Sequence, residues 1–317
     1  MQFSFIIPVK NSSATLDRTL KSILNQNLQE NFEIIIVDNG STDNTIEIAS
    51  KYTDKIFSQP KLNVSGLRNF GAKNANGNIL IFIDSDCVLD NDQISKASDY
   101  LKREHVGLIG SKYHRSLKIN NFQKNLDLFF KLQNNSSSTD WLPSIFIIIK
   151  KEDFFSLNGF DEHLVTCEDV DFGYRLKKKN KLIISSSTLS TTHLGEPKNF
   201  YEFLKKHSWH SLDALIIIYK HPTFKSEIKY VVFLLYTLIA FATLIYGLIV
   251  LNLMLVSTSL FFITLPSFLL ALKLCICAKN FKALGNFFLI YLLYFMTRII
   301  ILPKSIFRLI NYINSAK

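Results

Sequence analysis

The chain has 317 residues, 36 of them Lys or Arg and 26 Asp or Glu, and 48% are apolar. Every acidic residue lies at or before Glu227, while the residues from Ile228 onward carry eight basic groups, so +8 of the net +10 belongs to the tail. Basic residues beside apolar segments mark a membrane with an anionic face, and no nucleic-acid-binding motif accompanies them, which excludes nucleic acid as the partner.

The first 227 residues are enough to bury the core of one α/β domain. Met1-Gln2-Phe3-Ser4 lacks the basic start of a signal peptide, so none is expected. A strand over residues 3–9 is expected to stop at Pro8, which cannot donate to a ladder. Asn11-Ser12-Ser13 then caps a helix with Leu16, Leu20, Ile23 and Leu24 on one face. Residues 33–37 form a second buried strand, ending in the turn and helix start Asp38-Asn39-Gly40-Ser41-Thr42-Asp43. Residues 55–57 give a short third strand, 65–72 a helix, and 79–83 a strand apolar on both faces. Strand and helix at these intervals predict right-handed βαβ units and a mostly parallel sheet. Farther on, residues 106–110 and 144–149 read as strands, 116–140 as a loop or short helix, and a helix from Lys151 ends at Gly159.

The strand over 79–83 ends in Asp84-Ser85-Asp86. The carboxyl edge of an open α/β sheet is where ligands bind, and side chains two apart at a strand end point the same way. Such a pair is poor as an acid/base couple near neutral pH but suits a hard divalent cation also held by substrate phosphates. Asp38 ends its own strand at the same edge. A second acidic group, Asp161, Glu168, Asp169 and Asp171, falls within eleven residues. It either meets cations or complements the dipole of the helix running to Lys179. Lys177-Lys178-Lys179 reads as a solvated helix end. The cysteines at 87, 167, 275 and 277 have no zinc spacing and read as reduced core thiols.

In these residues the chain resembles the family 2 glycosyltransferases over residues 3 to about 195. Residues 5–11 resemble the family's opening strand. Val37-Asp38-Asn39-Gly40-Ser41-Thr42-Asp43 resembles its nucleotide turn, with Asn39 where a second Asp is common. Gly66-Leu67-Arg68-Asn69-Phe70-Gly71 resembles its Arg-Asn-x-Gly helix, and Asp84-Ser85-Asp86 its Asp-x-Asp. Gly159-Phe160-Asp161-Glu162 followed by Glu168-Asp169 resembles its acceptor-side motif. The resemblance implies a GT-A fold, an α/β Rossmann-like domain with a mostly parallel sheet, here followed by C-terminal transmembrane helices.

It also implies roles. Asp38 would bond the base of a nucleotide-sugar beside the backbone of Pro8 and Val9. Arg68 would contact the nucleotide or its diphosphate, and Asp84 and Ser85 would lie near the ribose. Asp86 would hold Mg2+ or Mn2+ at the diphosphate, with His193 as a further metal or phosphate contact. Asp169 would be the general base of an inverting transfer, with Glu168 and Asp171 as the alternatives. The expected donor is a UDP-sugar and the acceptor a lipid-linked glycan or polysaccharide. The alternative is a catalytically silent nucleotide-sugar binder in a glycan assembly complex. A nucleotidyltransferase is disfavoured because Lys10-Asn11-Ser12-Ser13 has no glycine, and a processive synthase because no Gln-x-x-Arg-Trp occurs.

The expected domains are a catalytic one over 1–198, an amphipathic interface helix and linker over 199–229, and a membrane domain over 230–317. Residues 231–251 and 253–272 are each long enough to span a bilayer, with Asn252 at the turn. A third segment, 283–302, contains Arg298 and reads as either a span or a re-entrant or interfacial helix. Two spans return Lys273, Lys279 and Lys282 to the cytosol, whereas a third would put Lys304, Arg308 and Lys317 outside. The expected location is the inner (plasma) membrane, multi-pass, with the catalytic domain cytosolic.

Overall fold

The computed structural model describes residues 2–26, 28, 31–117, 119–133, 139–223 and 225–315. Residues 134–138 of the polar stretch, and Lys317, lie outside the described residues. The strands are β1 Phe3–Val9, β2 Phe32–Asp38, β3 Ile56–Ser58, β4 Ile79–Ile83, β5 Cys87–Val88, β6 Val106–Gly110, β7 Phe146–Lys150, β8 Leu182–Ser185 and β9 Thr192–His193. The α-helices are α1 Leu16–Leu24, α2 Thr45–Ala49, α3 Val64–Lys73, α4 Gln93–Leu101, α5 Asn121–Gln133, α6 Lys151–Ser156, α7 Glu168–Lys178, α8 Phe200–His210, α9 Ala214–Lys220, α10 Lys225–Ile249, α11 Leu253–Ala278 and α12 Leu284–Ser315. The chain divides into two compact units, Met1–Leu117 with Asn134–Glu196, and Lys118–Gln133 with Pro197–Lys317.

The first unit is built on a seven-stranded sheet of order β3-β2-β1-β4-β7-β6-β8, with β5 and β9 in a separate two-stranded sheet. The β1, β2, β3 and β4 pairings are parallel, as is β6 with β8, while β7 runs antiparallel to both β4 and β6. This is the mostly parallel α/β sheet that the apolar runs predict. Every residue of β1, β4 and β6 is buried, so alternation is lost and each strand reads as a continuous apolar run. On one face Phe5 and Ile7 pack with Leu16, Leu20 and Ile23 of α1. On the other, Ile6, Leu80 and Phe82 pack with Phe154, Phe160 and Phe172. The Phe82 and Phe154 ring centroids are 5.0 Å apart, as are those of Phe160 and Phe172. Burying each such side chain contributes about 1.5–3 kcal/mol.

Pro8 and Gly159 do not end the elements that precede them. Pro8 does not stop β1, which pairs with β2 through Val9; its pairing with β4 has ended at Ile6, so proline sits where the ladder is already open on one side. The expected helix from Lys151 to Gly159 ends at Ser156, and Gly159 adopts φ +70°. The stretch 116–140 contains a 13-residue helix, α5.

The topology gathers one edge of the sheet. The carboxyl ends of β1, β2 and β4 lie together there, and because β7 is antiparallel its start joins them, with Ile83 opposite Phe146. The Asp84 amide donates to the Ile145 carbonyl (3.0 Å), carrying that edge into both loops.

In the second unit, Leu126 and Phe129 of α5, Phe203 of α8 and Phe287, Ile290 and Tyr291 of α12 form an apolar cluster. The single interface helix expected within 199–229 is two, α8 and α9, separated by Ser211–Asp213. Among the described residues, three helices are long and apolar enough to cross a membrane, within Val231–Ile249, Leu253–Ala278 and Phe281–Ser315. Asn252 lies at the first turn as expected and caps α11, accepting from the amides of Met254 (3.0 Å) and Leu255 (3.1 Å).

Candidate active site

The nucleotide-turn residues occupy the ends of β1 and β2. Asp38 is buried, and its carboxylate accepts from the amides of Gly40 (2.9 Å) and Ser41 (3.1 Å), so the turn holds the acid in place. Val9, paired with Asp38, accepts from the Asn39 amide at 2.9 Å. Asn39 departs from the family pattern in a way its contacts explain. Its side-chain amide donates to the carbonyls of Gln59 (3.2 Å) and Leu62 (2.7 Å), which a carboxylate could not do.

The Asp-x-Asp residues follow β4 and split into two environments. Asp84 bonds inward: Arg68, only 2% exposed, donates from Nη2 to Asp84 Oδ1 and from Nη1 to Glu168 Oε1, each at 2.7 Å. The guanidinium thus bridges the two motifs, and its own pKa is raised by these carboxylates against the opposing effect of burial. Burial pushes the Asp84 carboxyl up, with Arg68 opposing. Ser85 Oγ lies 2.8 Å from Ser12 Oγ, fixing the loop against the start of α1.

Asp86 has a different partner. The antiparallel β5–β9 pair sets Cys87 opposite His193 and brings His193 Nε2 to 3.2 Å from Asp86 Oδ2. Nδ1 of the same ring bonds Glu196 Oε1 at 2.7 Å. A Cβ at Gly195 would come within 2.2 Å of Asp86 Oδ2, so glycine is what leaves room for this carboxylate. Asp86, Cys87 and His193 place potential ligand atoms within 4.8 Å of one another. The donor set fits a hard divalent cation through Asp86 and His193, because an imidazole whose second nitrogen is fixed by a carboxylate is the usual metal-ready arrangement. Cys87 fits it poorly, since burial pushes the thiol well above its ordinary pKa and magnesium and manganese prefer oxygen.

The second acidic group is sorted with equal clarity. Asp171 is fully buried and ion-paired with Arg175, which also donates to the carbonyls of Leu157 and Gly159. Glu168 is engaged by Arg68 and by Ser144 Oγ (3.0 Å). Asp169, half-buried at the first turn of α7, accepts from the backbone amides of Ser144 (3.2 Å) and Val170 (2.8 Å), its hydrogen bonds among the described residues. Burial first, and then the charge of Glu168, raise its pKa to about 7. The Gly159–Glu162 motif is joined to α3 by Asn69, whose amide bonds both the backbone of Phe160 and Glu162 Oε1. At Gly159 a Cβ would lie 2.5 Å from Asn69 Oδ1.

Of the candidate site residues, Val9 and Asp38 sit at the ends of β1 and β2, Arg68 joins Asp84 to Glu168, His193 meets Asp86, and Ser144 reaches both Glu168 and Asp169, whereas Asp171 pairs with Arg175. Ser144, Glu196 and the spacing role of Gly195 were not foreseen; the one available signal was the His-x-x-Glu spacing of His193 and Glu196.

Comparisons with known proteins bear on this arrangement. Residues 4–158 match the sequence model of "Glycosyl transferase family 2". An uncharacterised glycosyltransferase of Haemophilus influenzae is 31% identical over 144 residues, 42% of this chain and 57% of that protein. The Staphylococcus aureus poly(ribitol-phosphate) β-N-acetylglucosaminyltransferase TarS is 33% identical over 116 residues, 34% of this chain and 20% of that protein. The matches thus span a fifth to about half of these relatives' lengths. Among solved structures, TarS 1–349 with UDP-GlcNAc superposes with a TM-score of 0.50, at 19% identity, over 68% of this chain and 67% of that one. The mannosyltransferase PcManGT of Pyrobaculum calidifontis, with GDP-Man and Mn2+, gives 0.66 at 14% identity over 94% of this chain and 86% of that one. Residues 4–158 are a family 2 glycosyltransferase domain, and the first unit of the chain has the GT-A fold.

Proposed function

We propose that the protein is an inverting glycosyltransferase that moves a sugar from a nucleotide-sugar to a lipid-linked or cell-surface glycan acceptor at the cytosolic face of the membrane. The observation that carries this reading is the pairing, on one sheet edge, of a cation-ready corner with a carboxyl whose pKa stands at about 7.

The Asp38 turn and the backbone of Pro8 and Val9 receive the base, and Asp84 and Ser85 lie near the ribose. Asp86 and His193 would hold Mg2+ or Mn2+, which when bound offsets charge building on the leaving diphosphate. Arg68 adds a fixed positive charge behind Asp84 and Glu168, and so keeps those two acids from repelling the donor. Asp169 takes the proton of the acceptor hydroxyl as its oxygen bonds the anomeric carbon and the bond to the diphosphate oxygen breaks. One displacement from the opposite side inverts that carbon. A base with its pKa near the working pH is half-ionised when it is needed and strong enough to accept the proton. A UDP-sugar is the first donor to try, since TarS binds UDP-GlcNAc, with GDP-mannose second because PcManGT binds it with Mn2+.

The test is a thermal-shift panel of nucleoside diphosphates, each with and without Mn2+, followed by transfer from the matching labelled sugar nucleotide into a membrane lipid extract. One nucleotide should raise Tm in a Mn2+-dependent way, and label should enter lipid. Stabilisation without transfer would instead support a silent sugar-nucleotide binder, and no stabilisation by any nucleotide would remove the donor site.

A further inference from the structure

The three apolar helices of the second unit do not have equivalent surroundings. Along nearly its whole length α12 packs on helices too short to span a bilayer, which needs roughly 20 residues. Tyr291 meets α5 through Phe129 (ring centroids 4.9 Å) and Gln133 (2.9 Å), and Tyr294 meets His207 of α8 (5.6 Å). Ser305 Oγ donates to the Ser211 carbonyl at 3.2 Å, and Arg308 is ion-paired with Asp213, which is 0% exposed. Lys220 of α9 sits 5.7 Å from the Tyr312 ring. From Tyr291 to Tyr312 a helix rises about 32 Å, as much as a bilayer's hydrocarbon core, yet both ends of this span rest on the same group of short, charged helices.

Contacts with the other two long helices agree. Phe295 meets Phe233, in the first part of α10, and the cluster of Phe287 and Ile290 includes Ala271, Leu274 and Cys275, near the end of α11. Both sites lie away from the turn at Asn252. Arg298 falls near the middle of α12, where a spanning helix would carry its charge to the bilayer centre.

The side of α12 turned away from these partners is apolar and exposed: Leu289, Ile300, Phe307 and Ile310 fall on one stripe at 100° per residue. Lys279, Lys282 and Lys304 are exposed around it. We propose that only α10 and α11 cross the membrane, and that α12 lies flat along the interface on the α8–α9 side. Its Leu289–Ile310 stripe is sunk in one leaflet, with the lysines against anionic headgroups. The occupant of this stripe is the lipid leaflet that the α10–α11 hairpin already enters.

The full-length protein, with one epitope before residue 1 and another after residue 317, can be tested by protease digestion of sealed inverted membrane vesicles. Two crossings predict that both epitopes are cut in the same vesicles, or both protected. Opposite fates would mean that α12 spans, and would overturn the proposal. A second readout needs no epitope: tryptophans placed singly at Leu289, Ile300 and Ile310 and quenched by lipids brominated at graded depths. A flat helix gives one shallow depth at all three, whereas in a spanning helix Ile300 lies about 16 Å deeper than Leu289. Absence of quenching at all three positions would equally overturn it.

Discussion

Asp86 and Asp169 occupy the same sheet edge and are handled in opposite ways. Asp86 is set against an imidazole that is itself fixed by Glu196, with Gly195 clearing the space, and this surrounding favours a carboxylate ready to share a cation. Asp169 has backbone amides and the repelling charge of Glu168, and burial lifts its pKa to about 7. Between the two corners runs Asp84–Arg68–Glu168, one buried guanidinium holding both motifs at fixed separation. The contrast teaches that carboxylates of one kind acquire different chemistry from their neighbours alone, and that Arg68 keeps the two environments distinct.

The contrast can be broken most severely at Arg68. Arg68→Met leaves Asp84 and Glu168 facing each other in the interior, and losing one partner of a buried pair costs about 3–5 kcal/mol. Chemical denaturation should show that loss, with nucleotide affinity and turnover falling together; wild-type stability would show that the bridge is not what holds the two corners. At the cation corner alone, Glu196→Gln keeps the size but loses the charge that orients His193. Mn2+ affinity, read by calorimetry, should weaken by about 10–100-fold while the metal-free Tm stays unchanged.

A pH dependence is expected at the base corner. The folded pKa of Asp169, about 7, stands above the ordinary 3.8, so folding favours the protonated acid. The stability this gives is fully present below the unfolded pKa and is lost as pH rises through the folded one. Asp169→Asn should therefore raise the ligand-free Tm at about pH 8 more than at about pH 5. An equal change at both would place the perturbation elsewhere.

Much of this was legible in the sequence, and the reason is burial. β1 and β4 are apolar on both faces, so their strands, and the acids that end β2 and β4, stand out as abrupt changes of character. Direction and long-range pairing leave no such mark. Nothing local in Phe146–Lys150 shows that β7 runs antiparallel, although this brings Ser144 to Asp169. The two-residue β5–β9 pair is too short for any periodicity, yet it places His193 on Asp86. The acidic cluster was visible, but its division was not: Asp171 serves Arg175, Glu168 serves Arg68, and only contacts across the fold tell them from Asp169.

The central claim is that the two corners do separate jobs, and it is tested most directly by measuring nucleoside diphosphate affinity with Mn2+ and single-turnover transfer on Asp169→Asn and Asp86→Asn together. Asp169→Asn should keep wild-type affinity and lose about two to four orders of magnitude in rate, because its proton moves only in the transition state. Asp86→Asn should lose Mn2+-dependent affinity as well as rate. Normal turnover in Asp169→Asn, or wild-type Mn2+-dependent affinity in Asp86→Asn, would contradict the account.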